Sequence, residues 1–197
     1  MVTLRPRICP FEDLVLGLHS ARSLLDIGCG SGFFLYLAAI SEPRERLVGV
    51  ESSEAVARAA ETTLASKLAG YAATPRITAA TRADEWPEGR FDAVTILDVL
   101  HHVPPHAKRT FLHQAAVRVA PGGCLVFKDI DAAPTWRRRM NSLHDIVVAR
   151  ERVTYTPRET VAAWLTAAGL RRSTSGTMDQ LWYRHTIDVF ERPVARA

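Results

Sequence analysis

The chain has 197 residues, 47% of them apolar and 23% charged, enough for one domain with a sizeable core. This ordinary composition excludes a disordered tail, a collagen-like fibre and a disulfide-stapled mini-domain. The net charge of +4 rests on 22 arginines against three lysines and is mixed with acids along the chain, which argues for solubility and coding bias more than for a nucleic-acid surface.

Hydrophobic periodicity alternates strand and helix from Ser23 onward. Ser23–Ile27 is a short apolar run ending in glycines, as a buried parallel strand would be. A helix from Gly32 to about Ser41 is stopped by Pro43. Arg46–Val50 reads as a second strand, Ser53 caps a helix running to about Lys67, and Arg76–Ala80 is a weaker third strand. Phe91–Leu97 is the fourth. Pro105 to Val119 reads as a helix with Phe111, Leu112, Ala115, Ala116 and Val119 inward, and Pro121-Gly122-Gly123 as a turn into a fifth strand, Cys124–Lys128. Thr135–Arg150 then sets Trp136, Met140, Leu143 and Val147 at helical spacing, with arginines on the other side. Thr156, Pro157 and Glu159 form a helix start, with Thr156 as the cap, and that helix ends at Gly169. Leu170–Thr174 and Trp182–Phe190 can pair as an antiparallel finish. Strands regularly separated by helices predict a single α/β domain whose parallel sheet is covered on both faces.

The longest uncharged apolar stretch, around Phe33 to Ile40, is far short of the ~20 residues a bilayer span requires. No apolar block of signal-peptide length precedes Glu12 and Asp13. Cys9, Cys29 and Cys124 are odd in number and contain no CxxC pair, so reduced thiols are expected rather than disulfides or zinc. The expectation is a cytoplasmic protein.

The segment Leu24-Leu25-Asp26-Ile27-Gly28-Cys29-Gly30-Ser31-Gly32 runs a strand into closely spaced glycines and then a helix. Glycine permits positive φ and close approach of a ligand to the main chain, and the helix start offers unpaired N–H groups. Glu51 ends the next strand, where an acid in a doubly wound fold accepts hydrogen bonds from ribose hydroxyls. Phe33 occupies the place of a dinucleotide fingerprint's last glycine, and no Lys-Ser/Thr follows, so neither a pyrophosphate nor a phosphate-cradling loop fits. Asp26 suits a cationic or amine-bearing ligand better than a phosphate.

These residues resemble the class I S-adenosylmethionine-dependent methyltransferases. The likeness is carried by LLDIGCGSGFF (24–34), GVESS (49–53), FDAVTILDVLHHV (91–103) and APGGCLVFKD (120–129), in the family's order and spacing. It implies a doubly wound, mostly parallel seven-stranded sheet with helices on both faces and an antiparallel last strand, Rossmann-like in type. It also implies S-adenosyl-L-methionine as cofactor, with Asp26, Gly28, Cys29, Gly30 and Gly32 at its methionine end, Glu51 and Ser52 at the ribose, and Leu97 and Asp98 beside it. The adenine place departs from the family pattern. The aligned position holds Arg82, followed by Ala83 and then Asp84, so either Asp84 substitutes after a loop shift or Ala83 and its neighbours hold the base by backbone and apolar contact. By the same resemblance the domain spans 1–197, with an N-terminal segment, 1–22, over the cofactor site and a substrate lid at 130–156.

Methyl transfer from a sulfonium is an in-line displacement in which alignment contributes most of the acceleration. A base is needed only where the acceptor must lose a proton. His101 and His102 are the candidate bases, against the alternative that one packs under the cofactor loop and the other is solvated. Asp129, Arg137 and Tyr155 are candidate acceptor contacts, with Arg137 in an arginine run that could equally be a solvated helix face. His101, His102 and His106 have poor spacing for a metal. The leading reading is a small-molecule methyltransferase, monomer or homodimer, with nucleic acid and membrane not expected as partners. The alternatives are an RNA or protein methyltransferase and a non-catalytic cofactor-binding partner subunit.

Overall fold

The computed structural model describes residues 14–15, 17–130, 154–180 and 183–194. Its seven strands are β1 (Ser23–Ile27), β2 (Arg46–Glu51), β3 (Arg76–Ala79), β4 (Phe91–Leu97), β5 (Val119–Ile130), β6 (Arg171–Gln180) and β7 (Tyr183–Glu191). They form one sheet in the order β3-β2-β1-β4-β5-β7-β6. The first five run parallel, β7 is antiparallel to β5, and β6 is antiparallel to β7. The helices are α1 (Phe33–Ser41), α2 (Glu54–Lys67), α3 (Lys108–Val117) and α4 (Arg158–Ala167). The doubly wound architecture expected from the sequence is the one observed.

Alternation along the strands divides the core between the two sheet faces. Leu24, Ala93, Leu97 and Val126 pack with α1 and α2, through Leu35, Ala38, Ala57 and Leu64. Leu25, Ile27, Ile96, Leu125 and Phe127 pack on the opposite face with Leu112 and Ala116 of α3 and Val161 and Leu165 of α4. Because both faces are covered, the central strands are mostly apolar, with Asp26, Thr95, Lys128 and Asp129 as buried polar exceptions.

Three local expectations change. The third helix starts at Lys108, with residues 105–107 as a turn, and Val119 opens β5 instead of closing the helix. Pro121-Gly122-Gly123 lies within the long strand β5 as an irregularity: Phe91 pairs with Val119, and Ala93 pairs with Cys124. It stays in the sheet because Gly122 N donates to Arg192 O (2.8 Å) and Arg192 N to Gly123 O (2.9 Å). The third change is at α4, which is capped by Pro157 without a side-chain bond. The Thr156 hydroxyl instead accepts from Lys108 Nζ at 3.0 Å. The 135–150 helix and the tryptophan at 182 lie outside the described residues, as do residues 1–13 of the N-terminal segment and most of the 130–156 lid.

Among the described residues, no helix is long and apolar enough to cross a membrane.

Candidate active site

In the order β3-β2-β1-β4-β5 the chain reverses direction between β1 and β4. That reversal opens a crevice at the strand carboxyl ends, the usual ligand place in such sheets. Gly28, Gly30 and Gly32 take φ of 77°, 55° and 75° there. A Cβ on Gly28 would lie 2.4 Å from Val99 Cγ2, and one on Gly32 would lie 2.6 Å from Leu64 Cδ1. The loop therefore requires glycine for its conformation and for close packing.

Glu51 closes over this loop from the end of β2. Its Oε2 accepts from Gly30 N at 3.0 Å, and its Oε1 accepts from Ser53 N at 3.0 Å and Ser52 Oγ at 3.1 Å. Two carboxylate oxygens offer about four acceptor positions, so these bonds leave one for a ligand hydroxyl, and the exposed Ser52 hydroxyl can give up another. On the α1/α2 side, the buried Asp26 accepts from Thr95 Oγ1 at 2.7 Å. The Cys29 thiol between these acids is buried, and burial, then Asp26 and Glu51, push its pKa well up. The loop thus sits in a negative potential, suited to a cationic ligand and hostile to a phosphate.

From Gly28 a cavity of about 810 Å³ extends towards α3. Its walls include Ile27, Val50, Ala80, Ala83, Trp86 and Val99, with Ser52 and the exposed Arg82 and Asp84 at its edge. Arg82 and Asp84 pair with each other, Nε to Oδ1 at 3.0 Å and Nη2 to Oδ2 at 2.8 Å. An apolar slot, a carboxylate beside glycine backbone and a negatively charged far end fit an adenine, a ribose and a cationic tail in that order.

Leu97 lies in the core on the α1/α2 face. Asp98, next to it, adopts φ 58° and turns to the fully buried Lys128, whose Nζ donates to Asp98 Oδ2. Burial by itself would raise the Asp98 carboxyl, but the Lys128 ammonium holds it below the usual carboxylate range. His185 Nδ1 lies 3.8 Å from Asp98 Oδ1. Burial, then Lys128, lower the His185 pKa to about 4.

The two histidines expected together separate in environment. His102 is exposed and lines the cavity. His101 is buried, and its Nδ1 bonds Asp129 Oδ1, which also accepts from Ile130 N at 2.8 Å. The two imidazoles lie 4.2 Å apart between centroids, and the half-buried Tyr155 ring lies 6.1 Å from His101. Thr154 N donates to His101 O at 3.1 Å, which draws Tyr155 to this corner. Arg137 lies outside the described residues.

Lys128 and His185 escaped the sequence reading. A lysine inside the apolar run LVFKDI was the available signal for the first. His185 stands 57 residues further along the chain (185 − 128) and gives no such local sign.

A family model described as a methyltransferase domain matches residues 4–173. A ubiquinone biosynthesis O-methyltransferase of Alkalilimnicola ehrlichii is 34% identical over 119 residues, covering 60% of this chain and 46% of that protein. The chain thus spans about half the length of the curated relatives it matches. Among solved structures, a magnesium protoporphyrin IX methyltransferase of Synechocystis with bound S-adenosylhomocysteine superposes with a TM-score of 0.74 at 18% identity, over 92% of this chain and 81% of that one. An N-methyltransferase of Bradyrhizobium japonicum, also with S-adenosylhomocysteine, gives 0.71 at 20% identity, over 96% and 87%. At these identities the structural likeness concerns the fold.

Proposed function

This chain belongs to the class I methyltransferase family, whose cofactor is S-adenosyl-L-methionine, and from that premise we propose that it methylates a hydroxyl oxygen of a small-molecule acceptor. The observation that carries the cofactor reading is the Glu51 carboxylate held over Gly30 at the strand reversal. When bound, the cofactor supplies an electrophilic methyl group on a positively charged sulfur.

The chain's own residues then have four tasks. Glu51, with Ser52 beside it, receives the ribose hydroxyls while Gly28, Gly30 and Gly32 let the backbone approach. Ala83, Val99 and Val50 line the adenine slot. Asp26, Cys29, Leu97 and Asp98 line the methionine end, where negative potential favours a cation. His101, held by Asp129, takes the acceptor's hydroxyl proton. A carboxylate on Nδ1 fixes the tautomer in which Nε2 carries the lone pair. A histidine–carboxylate pair at this corner favours an acceptor that must lose a proton, as a phenol does. The curated relatives named O-methyltransferases support the same choice of atom. Tyr155 stands with His101 and Asp129 on the acceptor side in this proposal, Arg137 is assigned an acceptor contact from the sequence resemblance, and His102 lines the cavity.

Glu51→Ala tests the cofactor reading. Isothermal calorimetry should show S-adenosylmethionine and S-adenosylhomocysteine each weakened about tenfold, the loss of charge-assisted hydrogen bonds. Unchanged affinity for both would overturn the ribose assignment.

A further inference from the structure

We propose that Lys128, acting through Asp98, sets how strongly the site prefers the positively charged methyl donor over its neutral demethylated product. This rests on the cofactor reading above. Donor and product share nearly the same shape and differ by one methyl group and one unit of charge. Contacts to adenine, ribose and amino acid therefore act on both alike, and the local charge is what tells them apart.

The geometry puts a buried charge pair beside that distinction. Leu97 pairs with Lys128 across β4 and β5, and Asp98 N donates to Lys128 O at 2.8 Å. The following residue, Val99, is the one packed against Gly28. Alternation places Lys128 on the same sheet face as Val126, which is the α1/α2 face. Leu97 packs on this face too, and Thr95, two residues before it, bonds Asp26. Asp26 and Glu51 thus border the glycine loop, Asp98 directly precedes the Val99 that packs on it, and the fully buried Lys128 ammonium neutralises Asp98. Buried charges act at low effective dielectric and escape salt screening.

Asp98 is also held where it is. Its φ of 58° makes it the non-glycine residue in the left-handed region among the described residues. Such a conformation persists only where the surroundings over-determine it. Without its counter-ion, Asp98 would bind the donor more tightly than the product. With Lys128 in place the preference is moderated, so the product is not bound too weakly relative to the donor, nor the cationic ground state too strongly.

The experiment is calorimetric titration of the full chain with S-adenosylmethionine and with S-adenosylhomocysteine near neutral pH, read as the ratio of the two dissociation constants. Lys128→Met should move that ratio towards the donor by about tenfold, the scale of one unit charge acting over roughly 12 Å at an effective dielectric of about 20. Asp98→Asn should move it the opposite way, since asparagine tolerates the left-handed backbone and leaves the lysine uncompensated. The double variant removes the pair as a unit, a change that buried ion pairs often tolerate, and should return the ratio to near the parental value. If Lys128→Met fails to fold, the shift expected of Asp98→Asn carries the test alone. A merely structural role weakens both ligands equally and leaves the ratio unchanged, and that result overturns the proposal. If the parental chain binds neither ligand, the cofactor reading fails and this inference falls with it.

Discussion

At Gly28 the backbone takes φ 77° with Val99 Cγ2 2.4 Å from where a Cβ would stand. Gly28→Ala is therefore expected to destabilise the fold by about 1–3 kcal/mol through strain and overlap and to weaken cofactor binding. Adding Val99→Ala should restore part of the stability, because the overlap is with that side chain; thermal unfolding of both variants checks the coupling. The proposed base gives a second prediction at this scale. His101→Gln should lower turnover of a phenolic acceptor by roughly 10²–10⁴-fold, with the cofactor dissociation constant unchanged by calorimetry. Asp129→Asn should have a similar effect, because an amide can donate to Nδ1 and invert the tautomer. A fall in cofactor affinity matching the fall in turnover would place His101 in cofactor binding instead.

Elements were legible wherever the physics is local. β1, β2 and β4 sit between two helical layers, so a short apolar run marks each of them, with a glycine just beyond the end of β1 and just before β4. Ser53 caps α2 as expected, its Oγ accepting from Val56 N at 3.4 Å. Where a long-range partner competes, local reading fails: Thr156 resembles a cap but serves Lys108, and Pro121-Gly122-Gly123 resembles a free turn but is drawn into the sheet by Arg192. The same holds for the site. The proximity of the glycines and Glu51, which lie in two short blocks, is legible from the sequence, whereas Asp98, Lys128 and His185 meet only once β4, β5 and β7 are adjacent. The end of the sheet offers a test at this scale. Arg158, at the start of α4, donates to both oxygens of Asp188 on β7, at 2.8 and 2.7 Å, and to Gly176 O on β6 at 2.8 Å. Arg158→Leu leaves a buried carboxylate without its guanidinium and should cost about 3 kcal/mol, measured as a lower urea midpoint at unchanged slope.

For the molecule as a whole, the buried cluster makes stability depend on pH in a definite direction. His185 titrates near 4 in the fold, lowered by burial and by Lys128, whereas in the unfolded chain it titrates near 6.5. Between those values the unfolded state binds a proton that the folded state refuses, so stability falls as pH drops from about 6.5 to about 4. The full effect is on the order of 3 kcal/mol, from a shift of about 2.5 pH units at 1.36 kcal/mol each. Asp98 acts in the same direction in a lower window. Its carboxyl is held below the usual range by Lys128, so its contribution is present above an unfolded carboxylate's pKa near 4 and is lost as pH falls further. Urea unfolding at a series of pH values should show two successive losses, and His185→Gln should flatten the first while sparing the second. Stability that rose on acidification through 6.5 to 4 would mean that the folded chain holds His185 as a cation, and the buried cluster would then carry one more positive charge than argued.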